Sequence, residues 1–336
     1  MKLRFCALLC VLFSLPASAG WFSYTPYGKS FYSDMHPNFF RFDVSAHSNN
    51  PEYDFAKTGK AYRSQTLCVM GADLPIWTGN FADNRFSLSV TLALSTNIWL
   101  DLFEKKTAPV VNTDYRISLP TATFIHRLNA GFAKNYSIAW SPMKHESTHL
   151  GDEMQIQRMD EGRAIRRVNV SSNYTELVFT LNDPEERYDQ NHSFRLGLML
   201  LWDPSNGWYT IKEDAGDGPA ALGHKRISPW EAFFQYQYQS PASKAGIQGI
   251  ASVEIRNRAV YGYDLSLNDP TLDTAPGDSR NFTFNVFAGA RFTLRERDGY
   301  FSRMLLGLRA YYGNCPYGMF RNLRGYNQFG LCIMFQ

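Results

Sequence analysis

The sequence predicts an all-β fold, an antiparallel up-and-down transmembrane β-barrel of about twelve strands with long extracellular loops and short periplasmic turns. Three observations carry that expectation. Apolar residues recur at period two, the candidate strands come to an even number, and the links between them alternate long and short. Residues 281–295 show the first. One parity reads Phe282, Phe284, Val286, Ala288, Ala290, Phe292 and Leu294, and the other Thr283, Asn285, Phe287, Gly289, Arg291 and Thr293. Successive strand residues face opposite ways, so this segment has an apolar face and a small or polar one. Past the first twenty residues no apolar run reaches the roughly 18 residues of a membrane helix. A barrel strand crosses with about 9 to 11 residues and shows lipid only every second one.

In chain order, residues 1–19 read as a signal peptide. Lys2 and Arg4 form a positive start, Phe5 to Leu15 an apolar stretch, and Ala17-Ser18-Ala19 a small-residue cleavage site. Residues 20–38 are expected as an N-terminal periplasmic segment, and 39–336 as one barrel domain. Candidate strands lie near 39–48, 66–76, 86–100, 113–126, 135–147, 166–181, 193–202, 231–239, 247–261, 281–295, 303–312 and 326–336. Links after odd strands are long, as at 49–65, 150–165, 203–230 and 262–280, whereas 240–246 and 296–302 are short. A barrel with both termini in the periplasm sorts its connections in this way, whereas an exported soluble sandwich, the alternative, has no reason to. Trp77, Trp99, Trp140, Trp202, Trp208 and Trp230 fall toward strand ends, where an aromatic girdle would lie. The alternation Phe329, Leu331, Ile333, Phe335 resembles the C-terminal signal of outer-membrane barrels, which implies insertion by the barrel-assembly machinery into a Gram-negative outer membrane.

Composition narrows the function. Without Lys2 and Arg4 the chain has 32 basic against 31 acidic residues, a balance that does not suggest a nucleic-acid partner. The remaining cysteines, Cys68, Cys315 and Cys332, are too few and too scattered for a disulfide framework or a zinc ribbon and read as structural thiols. Phosphate-cradling glycine loops and the G-x-S-x-G elbow are absent.

Chemistry is concentrated in His145-Glu146-Ser147-Thr148-His149-Leu150-Gly151-Asp152-Glu153. Its first five residues match His-Glu-x-x-His, in which a helix aligns two zinc-ligating histidines, here His145 and His149, and the Glu acts as general base. The preceding alternation of Tyr136, Ile138 and Trp140 instead puts the motif at the end of a strand. There His145 and Ser147 share one side and suit a base and a nucleophile, with Asn169 on the next strand to orient the His. Simple parity sends both into the lumen, with Arg291, Arg309 and Asn173 also on polar parities; a bulge at Pro142 would flip His145 and Ser147 toward lipid.

The His-x-Ser pair, the strand number and the end Tyr311-Tyr312-Gly313 with 326–335 resemble outer-membrane phospholipase A, a twelve-stranded barrel. That resemblance implies lipid hydrolysis by a His/Ser/Asn site and calcium as its cofactor. A second resemblance, to an uncharacterised family of exported bacterial proteins, rests on His145 with 147–153, on Arg167-Val168-Asn169, on Asp114-Tyr115-Arg116, and on Gly313, Pro316-Tyr317-Gly318 and Phe320. It implies a barrel and no known activity.

The charged residues of the motif also suit a loop network. Asp152, Glu153, Asp160 and Glu161 stand against Arg158, Arg163, Arg166 and Arg167, a balanced set able to pin an extracellular loop over the pore. With that network, the sequence reading is a porin-like small-solute channel or structural surface protein, with a lipid hydrolase as the alternative and a zinc protease third. Outer-membrane lipid is the expected partner, together with a small solute if the barrel conducts.

Overall fold

The computed structural model describes residues 20–21, 30–34, 37, 39–48, 63–82, 84–102, 110–151, 167–183, 190–202, 208–211, 230–259, 280–293, 303–317 and 326–335. The expected signal peptide and the loop charges from Asp152 to Arg166 lie outside these residues, as does the side chain of Arg167.

Fifteen strands are described: β1 (Gly20–Trp21), β2 (Phe40–Ser48), β3 (Arg63–Phe81), β4 (Phe86–Leu100), β5 (Val110–Ser118), β6 (Thr121–Ala130), β7 (Ala133–Leu150), β8 (Arg167–Leu181), β9 (Asn191–Leu201), β10 (Trp208–Ile211), β11 (Trp230–Gln239), β12 (Ile247–Ala259), β13 (Arg280–Thr293), β14 (Arg303–Gly313) and β15 (Tyr326–Phe335). Each pairs antiparallel with its neighbours, and β15 pairs back onto β2, which closes the sheet. β5 and β6 are halves of one barrel strand, since both lie between β4 and β7. The break falls at Leu119-Pro120, where proline has no amide hydrogen for the ladder. With β1 and β10 as short additions on β3 and β8, the barrel has twelve strands.

The connections sort by end. The strand ends joined by 82–85, 131–132, 182–190, 240–246 and 294–302 lie at one rim, and those joined by 49–62, 101–109, 151–166, 202–229, 260–279 and 314–325 at the other. The tight links use backbone that few residues adopt easily: Gly131 has φ 58° and Asn182 φ 54°. Asn182 also ties the rim together. Its side chain accepts from the Lys134 amide at 2.7 Å and donates to the carbonyls of Phe132 and His192.

Leu196, Leu198, Phe284, Val286, Leu306, Leu308, Phe329 and Leu331 are exposed on the outer wall. The inner wall is polar and buried, so its charges need partners. Asp43 meets Arg309 at 3.0 Å and Arg41 at 3.2 Å, and Arg256 meets Glu254 at 3.1 Å. Arg309 also donates to Asn285 at 2.9 Å.

Two segments enter the lumen. Residues 30–34, expected in the periplasm, lie inside: Phe31 sits under the Arg195 guanidinium at 4.3 Å, and the Tyr32 and Ser33 amides donate to Gln237 and Ser252. Unsatisfied polar groups of the inner wall give this short stretch of backbone its partners. From the other rim, residues 314–317 fold inward, with Tyr317 between Gln65 at 2.9 Å and Gln328 at 3.1 Å. Gly313, at φ 139°, makes the turn into the lumen, and a Cβ there would meet Thr283 at 2.6 Å. Burial pushes the Cys315 thiol and the Tyr317 phenol well above their ordinary ranges. Trp99, expected in the girdle, is on the inner wall with its ring edge-on to His47. Trp140, Trp202 and Trp230 are exposed.

Candidate functional site

The candidate chemistry lies on β7, and a local defect in its ladder decides which way it faces. Up to Ser141, the residues Ser137 and Ser141 are buried on the lumen side while Ile138 and Trp140 are exposed outside. Against β8, Ser141 pairs with Glu176 and Lys144 with Tyr174, so Pro142 and Met143 together oppose Thr175 alone. Two residues against one is a β-bulge, and it inverts the parity of everything after it. Pro142 suits this position because it has no amide hydrogen to contribute. The Thr175 hydroxyl donates to the Pro142 carbonyl at 2.8 Å, and the Leu119 amide donates to the Met143 carbonyl at 2.8 Å.

Beyond the bulge, Glu146 and Thr148 are buried in the lumen, and His145, Ser147 and His149 take the outer face with Trp140. The simple parity that sent His145 and Ser147 inward fails at this extra residue. Asn173 is likewise outside rather than on the lumen parity, in step with exposed Leu177 and Phe179.

Asn173 lies directly across the ladder from His145, and its Oδ1 is 2.9 Å from His145 Nδ1. The Asn173 amide therefore holds the His145 ring through Nδ1 and leaves Nε2 directed away from it, the arrangement by which a residue on one nitrogen orients a base acting through the other. Ser147 Oγ is 3.5 Å from His149 Nε2, and the His149 ring is edge-on to Tyr115 at 5.6 Å. Among the described residues no hydrogen bond joins Ser147 to His145. Two histidines therefore flank one hydroxyl, and His145 is held from the neighbouring strand by Asn173 while His149 contacts Ser147 itself. Asn169, the orienting residue expected from the sequence, lies four residues before Asn173 on β8, at the register position of Tyr209 of β10. Finding Asn173 requires counting across the β7–β8 ladder through the bulge, and the visible signal for that was Pro142 in mid-strand.

The helix that the zinc reading of His145 and His149 requires is not there. Residues four apart on a strand are separated by roughly 14 Å. Glu146 is on the opposite wall, bound to Arg116 at 3.0 Å. Calcium fares no better among the described residues. Ser147 and Ser171 offer hydroxyls on the outer face, but the carboxylates of Asp114 and Glu146 are buried on the lumen side. The oxygen-rich shell that calcium needs is not assembled there among the described residues.

No protein-family model and no curated protein sequence matches the chain. Solved structures do resemble it. The outer membrane phospholipase dimer with bound calcium from Salmonella typhi has 9% identity over 89% of this chain and 91% of that one, with a TM-score of 0.46. Outer membrane phospholipase A from Escherichia coli has 10% identity over 94% of each chain and a TM-score of 0.45. LpxR from Salmonella typhimurium has 13% identity over 88% of this chain and 99% of that one, with a TM-score of 0.34. The fold itself, a closed twelve-stranded antiparallel barrel, is given by this chain's own strand pairing. The site, too, rests on this chain's own geometry.

Proposed function

We propose that this chain is an outer-membrane hydrolase of lipid acyl esters, with Ser147 as nucleophile, His145 as general base and Asn173 as the residue that orients the base. The supporting observation is the bulge at Pro142-Met143, which turns a hydroxyl and an Asn-held histidine toward the face where lipid lies. Ser147 Oγ attacks the ester carbonyl while His145 Nε2 takes its proton. The tetrahedral intermediate expels the alcohol, which leaves with that proton, and an acyl-serine remains. Water, deprotonated by the same histidine, then releases the fatty acid and restores the serine. The 3.5 Å contact to His149 loosens as Ser147 rotates toward His145; such contacts are often long before substrate binds.

The channel reading has less support, because residues 30–34 and 314–317 occupy part of the lumen. On the proposed reading the barrel-assembly machinery takes the C-terminal strand, and the chain joins the uncharacterised exported family whose motif it resembles. The test is release of fatty acid from phospholipid vesicles containing the folded protein. Ser147→Ala and His145→Ala should each abolish it, and hydrolysis that persists in both overturns the proposal. Planar-bilayer recordings of the intact chain should show no steady conductance.

A further inference from the structure

The ladder registers place two rows of outward side chains across four adjacent strands, and both rows end at the proposed catalytic pair. One runs Met70, Thr96, Tyr115, Ser147, and the other Ala72, Leu94, Ile117, His145. Between them is an open groove lined by Met70, Ala72, Leu94, Thr96, Tyr115 and Ile117, with His145 at its end. Met70, Tyr115 and Ile117 are exposed and form its walls, and Ala72 and Thr96 are short enough to leave its floor low. Neighbouring strands lie about 4.8 Å apart, so the groove extends roughly 14 Å from His145. On the other side of the pair, β8 presents Ser171 and Asn173, which are polar.

We infer that this groove holds the acyl chain of the ester being cleaved, with the chain lying across β5, β4 and β3 and the polar part of the lipid toward β8. The inference rests on the hydrolase reading and adds its substrate class, a glycerolipid or similar ester with a long unbranched chain. An acyl chain gains no hydrophobic transfer energy on leaving bilayer lipid for an apolar wall. The groove therefore acts through shape. It selects chain length and aligns the carbonyl with Ser147, which is where discrimination between substrates arises.

Two measurements test this. In the first, Ala72→Phe and Leu94→Trp fill the groove, and hydrolysis of dipalmitoyl and dioctanoyl phosphatidylcholine is compared, with Leu308→Trp on a distant strand as control. The expected result is a shift of roughly tenfold toward the short-chain substrate in both groove variants and none in the control. An equal loss on both substrates overturns the inference. The second needs no turnover. Folded Ser147→Ala protein in vesicles containing phosphatidylcholine with a diazirine on its acyl tail is irradiated and the labelled peptides are mapped. Labelling concentrated on β3 and β4 outer-face residues over Phe284 and Leu306 supports the groove, and even labelling overturns it. Concentrated labelling together with an inactive native protein would sink the hydrolase reading and leave the lipid groove standing.

Discussion

Replacing Asn173 by Ala separates a site read from the ladder from one read from motif spacing. The substitution removes the Oδ1 that lies 2.9 Å from His145 Nδ1 and leaves Ser147, His145 and the bulge in place. One neutral hydrogen bond is worth about 0.5–1.5 kcal/mol net, and with lipid rather than water as the competing surroundings the upper part of that range applies. At about 1.4 kcal/mol per tenfold, kcat on phospholipid vesicles should fall roughly tenfold in Asn173→Ala, with little change in KM. Asn169→Ala should stay near the native rate, because residue 169 is paired with Tyr209 at the far end of β8. Ser147→Ala should lie orders of magnitude lower, since removing a nucleophile stops the covalent route. His149→Ala should retain most activity, which distinguishes it from His145→Ala. A native rate in Asn173→Ala, or a loss in Asn169→Ala as large as in Asn173→Ala, would refute the assignment.

Deleting Met143 removes the extra residue of the bulge and should send positions 145 and 147 back to the lumen. A cysteine at position 147 in the deleted chain should then react with a water-soluble maleimide rather than a membrane-confined one, the reverse of its behaviour with the bulge intact. Asp43→Ala should lower stability by about 3–5 kcal/mol in urea titrations of the folded barrel, because it leaves Arg41 and Arg309 buried beside each other without the carboxylate between them. An effect under about 1 kcal/mol would mean that the lumen is wetter than its burial implies. The raised Cys315 thiol makes the tuck of residues 314–317 sensitive to alkali. Its stabilisation is complete below the ordinary thiol value of about 8.5 and is lost as pH rises above that toward the folded value. Cys315 should resist maleimide at neutral pH and become reactive at alkaline pH before the barrel itself unfolds.

Much of the architecture was legible in the residues. Period-two alternation in 281–293, 303–313 and 326–335 marks β13, β14 and β15, because lipid and lumen make opposite demands on successive side chains. Loop lengths followed for the same reason, since one rim needs only to turn the chain. The interrupted strand of β5 and β6 was visible as a single strand near 113–126, as its alternation survives the Leu119-Pro120 break. The lumen filling was less visible. Residues 30–34 carry no periodic signal, and their place depends on donors and acceptors from β11, β12 and β13, more than two hundred residues away.

From the sequence alone come the barrel, its strands, and the candidacy of His145 and Ser147, all of which depend on residue type and local spacing. Their facing, and the placement of Asn173 rather than Asn169 opposite His145, come only from tertiary structure. One residue of slippage at Pro142 exchanges lumen for lipid along the rest of β7. Whether a strand slips there depends on the partners that hold the bulge. Those are the Thr175 hydroxyl across the ladder and the Leu119 amide from the broken strand beside it, and neither is near Pro142 in the chain.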